Sequence, residues 1–246
     1  MTYEGVNRTM RICHRTHQGL VRASNQDSLL VEERIYGVAD GMGGHNGGET
    51  ASRVAVQVLK NALRSKAPEP RALELGMEAA NRRIFDMSRH DSALSGMGTT
   101  VTLLWENGNE VLVCHVGDSR AYLLRDGVLT QVTEDHSVVA ELLRNGVITA
   151  DMARTHPYRN VITRAVGVDP VVTADIFTHD LKENDLWLIC SDGLYNMVPD
   201  ETIAEILKEA KDEETAAEEL LQLALEKGGT DNITFVIGRV TEVSAS

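Results

Sequence analysis

Four times along this chain an apolar, strand-like run meets an aspartate within two residues of a glycine: Val38-Ala39-Asp40-Gly41, Val116-Gly117-Asp118, Cys190-Ser191-Asp192-Gly193, and Gly229-Thr230-Asp231 ahead of Ile233. A single Asp-Gly after a strand reads as an ordinary turn, because aspartate bonds its own backbone and glycine turns without steric cost. Four of them, with Asp27 as a fifth, point to a fold that brings strand ends from distant parts of the chain to one edge of a sheet system. Carboxylates gathered in this way raise one another's pKa and cannot all stay ionised at neutral pH without cations.

The segments between these aspartates predict both strands and helices. Met10 to Thr16, Ser28 to Glu32 and Ile35 to Ala39 read as strands, the last two forming a hairpin around Glu32-Glu33-Arg34. Gly19 to Asp27 is a polar loop carrying Arg22, Asn25, Gln26 and Asp27. Ala51, Val54, Ala55, Val58, Leu59 and Ala62 follow the spacing of an amphipathic helix, and after Pro68-Glu69-Pro70 a second helix runs to about Ser88.

Thr99 to Trp105, Glu110 to Val116, Arg120 to Arg125 and Val128 to Val132 are strand-like runs separated by Asn107-Gly108, Gly117-Asp118 and Asp126-Gly127, which reads as an antiparallel meander. His136 to Pro170 is irregular and is the expected lid or recognition flap. Val171 to Phe177 and Asp185 to Cys190 resume the strands, the latter apolar enough to be buried on both faces. Two helices through Ile203 to Ala210 and Ala217 to Ala224 precede a closing strand, Ile233 to Val240.

With 246 residues, 42% of them hydrophobic, the chain can bury a sizeable core and is expected to form one domain. A formal net charge of -13 without a basic stripe argues against nucleic-acid or anionic-membrane partners. No apolar run reaches transmembrane length and no secretion signal is visible, so a cytoplasmic location is expected. Cys13, Cys114 and Cys190 stand singly and read as reduced, buried thiols.

The pivot is Tyr36 to His45, where Asp40 and the Gly41 carbonyl offer hard oxygen ligands within a glycine run that can approach an ion or a phosphate. Oxygen ligands without paired histidines or thiolates select Mg²⁺ or Mn²⁺ over Zn²⁺. Two such ions sharing a carboxylate lower the pKa of a bridging water, and the natural target of that chemistry is a phosphoester. Arg22 supplies a guanidinium able to grip two phosphate oxygens.

Six elements in this order resemble the metal-dependent protein serine/threonine phosphatases, the PPM or type 2C family, in their compact bacterial form. They are Arg22-x-x-Asn25-Gln26-Asp27, Val38 to His45, Gly98-Thr99-Thr100, Val116 to Arg120, Ser191-Asp192-Gly193 and Gly229 to Asn232. The resemblance covers nearly the whole chain and implies an α+β fold, a four-layer αββα sandwich of two antiparallel sheets flanked by helix pairs, with the metal centre at one end. It implies a single domain over 1–246 with a flap insertion at about 136–169.

By resemblance Asp40 bridges two Mn²⁺ or Mg²⁺ ions, the Gly41 carbonyl binds one, and Asp192 and Asp231 bind the other. Asp118 with Asp192 holds a weaker third ion, Asp27 supports the metal-bound waters, and Arg22 binds phosphate. Gln26 stands where some family members carry glutamate. Asn232 is expected to orient Asp231. His45 either donates a proton to the leaving alkoxide or is an exposed polar residue of the glycine loop, and both readings stand at this point. His136, beside Asp135, reads as structural.

The activity implied is hydrolysis of phosphoserine and phosphothreonine in proteins by direct attack of metal-bound hydroxide, in a monomer opposing a Hanks-type kinase. Two other readings compete. Cys114-x₅-Arg120 has the spacing of cysteine-dependent phosphatases, but their thiolate needs a strand-to-helix loop, whereas Cys114 lies inside a strand-like run and Ala121 to Leu124 continues as strand. A catalytically inactive phosphatase-like binding module would be signalled by loss of Asp40 or Asp192, and both are present.

Overall fold

The computed structural model describes residues 7–43, 47–149, 152–153 and 155–243. Its strands run β1 (Asn7–His17), β2 (Asp27–Glu32), β3 (Ile35–Met42), β4 (Gly98–Thr99), β5 (Val101–Asn107), β6 (Glu110–Val116), β7 (Arg120–Arg125), β8 (Val128–Gln131), β9 (Asp175–Asp180), β10 (Leu186–Cys190) and β11 (Ile233–Val243). The α-helices are α1 (Gly47–Leu63), α2 (Pro70–His90), α3 (Val138–Arg144), α4 (Asp192–Tyr195), α5 (Asp200–Glu209) and α6 (Glu213–Glu226).

Every described strand pairing is antiparallel, in two sheets. One has the order β1-β11-β10-β7-β8; the other is β2-β3-β5-β6-β9, with β4 added to β3. The strand period of two sorts side chains between three apolar layers. On β5, Leu103 and Trp105 pack under α1 and α2 with Leu59, Leu73, Met77 and Ile84, while Leu104 points between the sheets. On β10, Leu188 and Cys190 pack against α5 and α6 with Leu207, Leu220 and Phe235, while Trp187 and Ile189 face the inter-sheet layer with Val38, Val113 and Val236. These layers, helices on sheet on sheet on helices, are the expected α+β sandwich.

Three local expectations are corrected. The four strands from Thr99 to Val132 do not form one meander. β5–β6 and β7–β8 are hairpins in different sheets, and Gly117 to Ser119 carries the chain from one sheet to the other. Gly117 has φ +112°, a backbone position that side chains other than glycine's rarely adopt, and a Cβ there would meet Thr100 Cγ2 at 2.5 Å. Second, the run from Thr99 is split, β4 pairing with Gly41 and Met42 and β5 pairing with Ile35 to Val38. Third, Val171 to Ala174 stand outside the ladder and β9 begins at Asp175.

Residues of the 136–169 segment are stitched down near both ends. His136 N–H donates to the Gly117 carbonyl (2.8 Å) and Thr163 N–H to the His136 carbonyl (2.8 Å), while Val166 and Thr99 exchange backbone bonds (2.8 and 3.0 Å). Ser137 caps α3 by accepting from Ala140 N–H at 3.3 Å. Val147, Tyr158, Val161 and Val168 of this segment are exposed.

Candidate metal centre

The aspartates reach the same end of the sandwich by different routes. Asp40 lies near the end of β3 and Asp27 is the first residue of β2; the two are register partners. Asp118 sits on the crossover between the sheets, Asp192 opens α4 directly after β10, and Asp231 precedes β11. The α4 turn is not visible in sequence periodicity, being only four residues long. Gly193 lets it settle tightly, since a Cβ there would collide with the Asn232 carbonyl beside Asp231.

The backbone around Asp40 is held by the two threonines of the Gly98-Thr99-Thr100 element, whose spacing assigns them no role. Asp40 N–H donates to Thr100 Oγ1 (2.9 Å), while its carbonyl accepts from Thr99 Oγ1 (2.9 Å) and Thr100 N–H (2.8 Å). A third unforeseen residue, Ser191, donates from Oγ to Asp27 Oδ2 at 2.8 Å. Asp27 Oδ1 is buried without a hydrogen-bond partner.

The carboxylates lie within electrostatic reach of one another. Burial, followed by the charges of Asp27, Asp192, Asp118 and Asp231, holds Asp40 well above the usual carboxylate range. Asp192 is likewise held high by burial and then by Asp118, Asp231 and Asp27, with Arg22 opposing. Burial pushes Asp27 up to about 6 and Asp118 up to about 7. Five carboxylates at one place, with one orphaned oxygen among them, form an environment in which negative charge outweighs positive.

Arg22 faces Asp231, Asp192 and Asp40, while Arg120 acts on Asp118. Arg22 Nη2 donates to Asp231 Oδ2 at 2.6 Å, and Asp231, Asp192 and Asp40 all favour its charged form, the hydrogen bond to Asp231 most. Its side chain is half exposed (53%), so it is open to an incoming anion as well. Among the described residues no three acidic, imidazole or thiol groups are closed into a ready coordination cage. The donors present are nonetheless all hard oxygens, mutually repelling and partly unsatisfied, which fits hydrated Mg²⁺ or Mn²⁺.

Asn232 meets Asp231 through its backbone and the preceding loop through its side chain. Its backbone N–H donates to Asp231 Oδ1 (2.8 Å), but its side chain accepts from Gln26 N–H and donates to the Gln18 and Ser24 carbonyls (2.8–2.9 Å). It therefore fastens the loop that carries Arg22. Gly41, whose carbonyl is a candidate ligand, is buried and donates its N–H to the Gln26 carbonyl at 3.2 Å. His45 lies outside the described residues.

His136 is a structural knot: Gly117 N–H donates to its Nδ1 (2.9 Å) and its Nε2 meets Asp175 Oδ2 (3.0 Å). Cys114 is fully buried within β6, and burial pushes its thiol up to about 12. Arg120, at the other end of the Cys-x₅-Arg spacing, is engaged by Asp135 at 2.7–3.1 Å. This geometry offers no thiolate nucleophile there.

The protein phosphatase 2C model matches residues 16–226. The chain belongs to that family. This phosphatase 2C chain is 40% identical over 245 residues to the serine/threonine protein phosphatase PstP of Mycobacterium tuberculosis, covering 96% of this chain and 46% of PstP. It thus spans about half the length of that relative. It is also 40% identical over 234 residues to the serine/threonine phosphatase stp of Listeria monocytogenes, covering 91% of this chain and 93% of stp.

Among solved structures, the PstP catalytic domain in complex with two manganese ions superposes with a TM-score of 0.87 at 38% identity, covering 95% of this chain and 99% of that one. A bacterial serine phosphatase superposes with a TM-score of 0.90 at 32% identity, covering 96% of this chain and all of that one. The two antiparallel sheets and their flanking helices are therefore the phosphatase 2C architecture.

Proposed function

We propose that this chain is a metal-dependent phosphatase of phosphoserine and phosphothreonine in proteins. The observation that carries the reading is the gathering of Asp27, Asp40, Asp118, Asp192 and Asp231, from both sheets, around one another with Arg22 beside them. The names of the PstP and stp relatives and the two manganese ions of the PstP structure support it.

Asp40 would be shared by two Mn²⁺ or Mg²⁺ ions, with the Gly41 carbonyl on one and Asp192 and Asp231 on the other. Asp118 and Asp192 would hold a weaker third. When bound, the ions make water nucleophilic near neutral pH and draw charge from the phosphoryl oxygens. The chain's own part is positional. Thr99 and Thr100 pin the Asp40 backbone, Ser191 orients Asp27, and Asn232 fixes the loop from which Arg22 releases Asp231 to grip phosphate oxygens.

The 136–169 segment is the proposed flap that meets the protein substrate, in a single domain over 1–246. A monomer in the cytoplasm that opposes a Hanks-type kinase completes the reading. Among the described residues no helix is long and apolar enough to cross a membrane.

The test is release of inorganic phosphate from a phosphothreonine peptide by EDTA-stripped protein as Mn²⁺ is added back. Turnover should appear only with the ion. A Mn²⁺-loaded protein that binds the peptide without releasing phosphate would establish a binding module instead.

A further inference from the structure

The backbone of Asp118 is tied to the helix that Asp192 opens. Tyr195, three residues after Asp192 on α4, donates its phenol to the Asp118 carbonyl at 2.9 Å. One hydroxyl therefore links the two segments whose carboxylates repel, Asp118 being the largest charge that raises Asp192.

The phenol ring is itself fixed. The Arg120 guanidinium lies 3.7 Å above its centroid, close enough for a cation–π contact. Arg120 Nε and Nη2 donate to Asp135 at 2.7–3.1 Å and Nη1 to Tyr122 Oη at 3.0 Å. Gln131 Nε2 donates to Asp135 Oδ1 at 2.8 Å, and Tyr122 Oη to Asp200 Oδ1 at 3.1 Å. The series spans β7, β8, the start of α5 and α4, and among the described residues none of these bonds involves Asp40 or Asp231.

We propose that Tyr195 is the positioning residue of the Asp118–Asp192 cation site, setting the separation of the two carboxylates through the Asp118 carbonyl while Arg120 fixes its ring. The inference rests on the reading of Asp118 and Asp192 as ligands of a third ion. Two like charges held on one frame need less ordering when a cation arrives, so the frame raises affinity by preorganisation. Without the hydroxyl, the Asp118 carbonyl loses a donor and the 117–119 crossover can move away from α4. The Asp40-centred ions should not respond, because the segment released is that of Asp118, while the Asp40 and Asp192 backbones keep their own bonds, to Thr99 and Thr100 and to Asn196.

The test is Tyr195→Phe, which keeps the ring and its contact with Arg120 and removes only the hydroxyl. EDTA-stripped protein is titrated with Mn²⁺ and the free ion is read by its EPR signal, giving the number of bound equivalents and the affinity of each. Two tight equivalents should be unchanged and a third weakened about five- to tenfold, the size of one lost hydrogen bond. A third equivalent as tight as in the parent chain overturns the proposal, and so does equal weakening of all three. Asp118→Asn separates this from the reading beneath it. That variant should lose the third equivalent; if it does not, or if the parent chain takes up only two, Asp118 is not a ligand and both ideas fall. Loss in Asp118→Asn with none in Tyr195→Phe removes the positioning role alone.

Discussion

Asp27 and Asp40 stand directly opposite each other in the β2–β3 ladder, two carboxylates at one register position. Like charges placed so weaken a sheet. In the proposed function a shared cation offsets that repulsion.

The pairing has a thermodynamic consequence for the ion-free chain. Asp27 at about 6, Asp118 at about 7, and Asp40 and Asp192 higher than ordinary carboxylates all keep protons in the folded state that the unfolded chain has lost. Between the unfolded value of 3.8 and these folded values the native state binds more protons, so stability falls as pH rises through that window. The thermal midpoint of stripped protein should drop between about pH 5 and about pH 8, and Mn²⁺ should raise it more at the upper end. Asp118→Asn should flatten the drop. A midpoint that rises with pH over this range would contradict the charge assignment.

Asp40→Asn and Asp192→Asn should each lower kcat on a phosphothreonine peptide by at least about a hundredfold with the fold retained by circular dichroism. Each also removes a repelling charge, so the ion-free variants should melt no lower than the parent. Near-normal rates in Asp192→Asn would show that the metal assignment is wrong.

Arg22→Ala should chiefly raise KM, by about tenfold, with a smaller effect on kcat. The reason lies in the half-exposed guanidinium, paired with Asp231 at 2.6 Å, which is open to bind the substrate's phosphate. Steady-state kinetics on two phosphopeptides measure the split.

Thiol chemistry supplies a control. Cys114, fully buried and raised to about 12, should resist iodoacetamide in the folded protein, and Cys114→Ser should keep its turnover. EDTA should abolish turnover in both chains.

Much of this was legible in the residues because local and tertiary demands coincide. The apolar run Leu186 to Cys190 can only be a strand covered on both sides, and the helices over Ala51 to Ala62 and Ala217 to Ala224 show their buried faces by spacing. Other features depend on contacts that spacing cannot carry. Gly117-Asp118 has the chemistry of a turn whether its flanking strands pair with each other or with separate sheets. The α4 turn is too short for a period, although Asp192 depends on it. Thr99 and Thr100 hold Asp40 through bonds between residues about sixty positions apart, and the side chain of Asn232 serves a loop more than two hundred positions away.

The central claim is that folding gathers these carboxylates to hold paired divalent ions. Anomalous diffraction from crystals grown with Mn²⁺ tests it most directly. The account predicts two strong peaks flanking Asp40, one within reach of the Gly41 carbonyl and the other of Asp192 and Asp231. Ordered crystals whose Mn²⁺ peaks lie only away from these residues would contradict it.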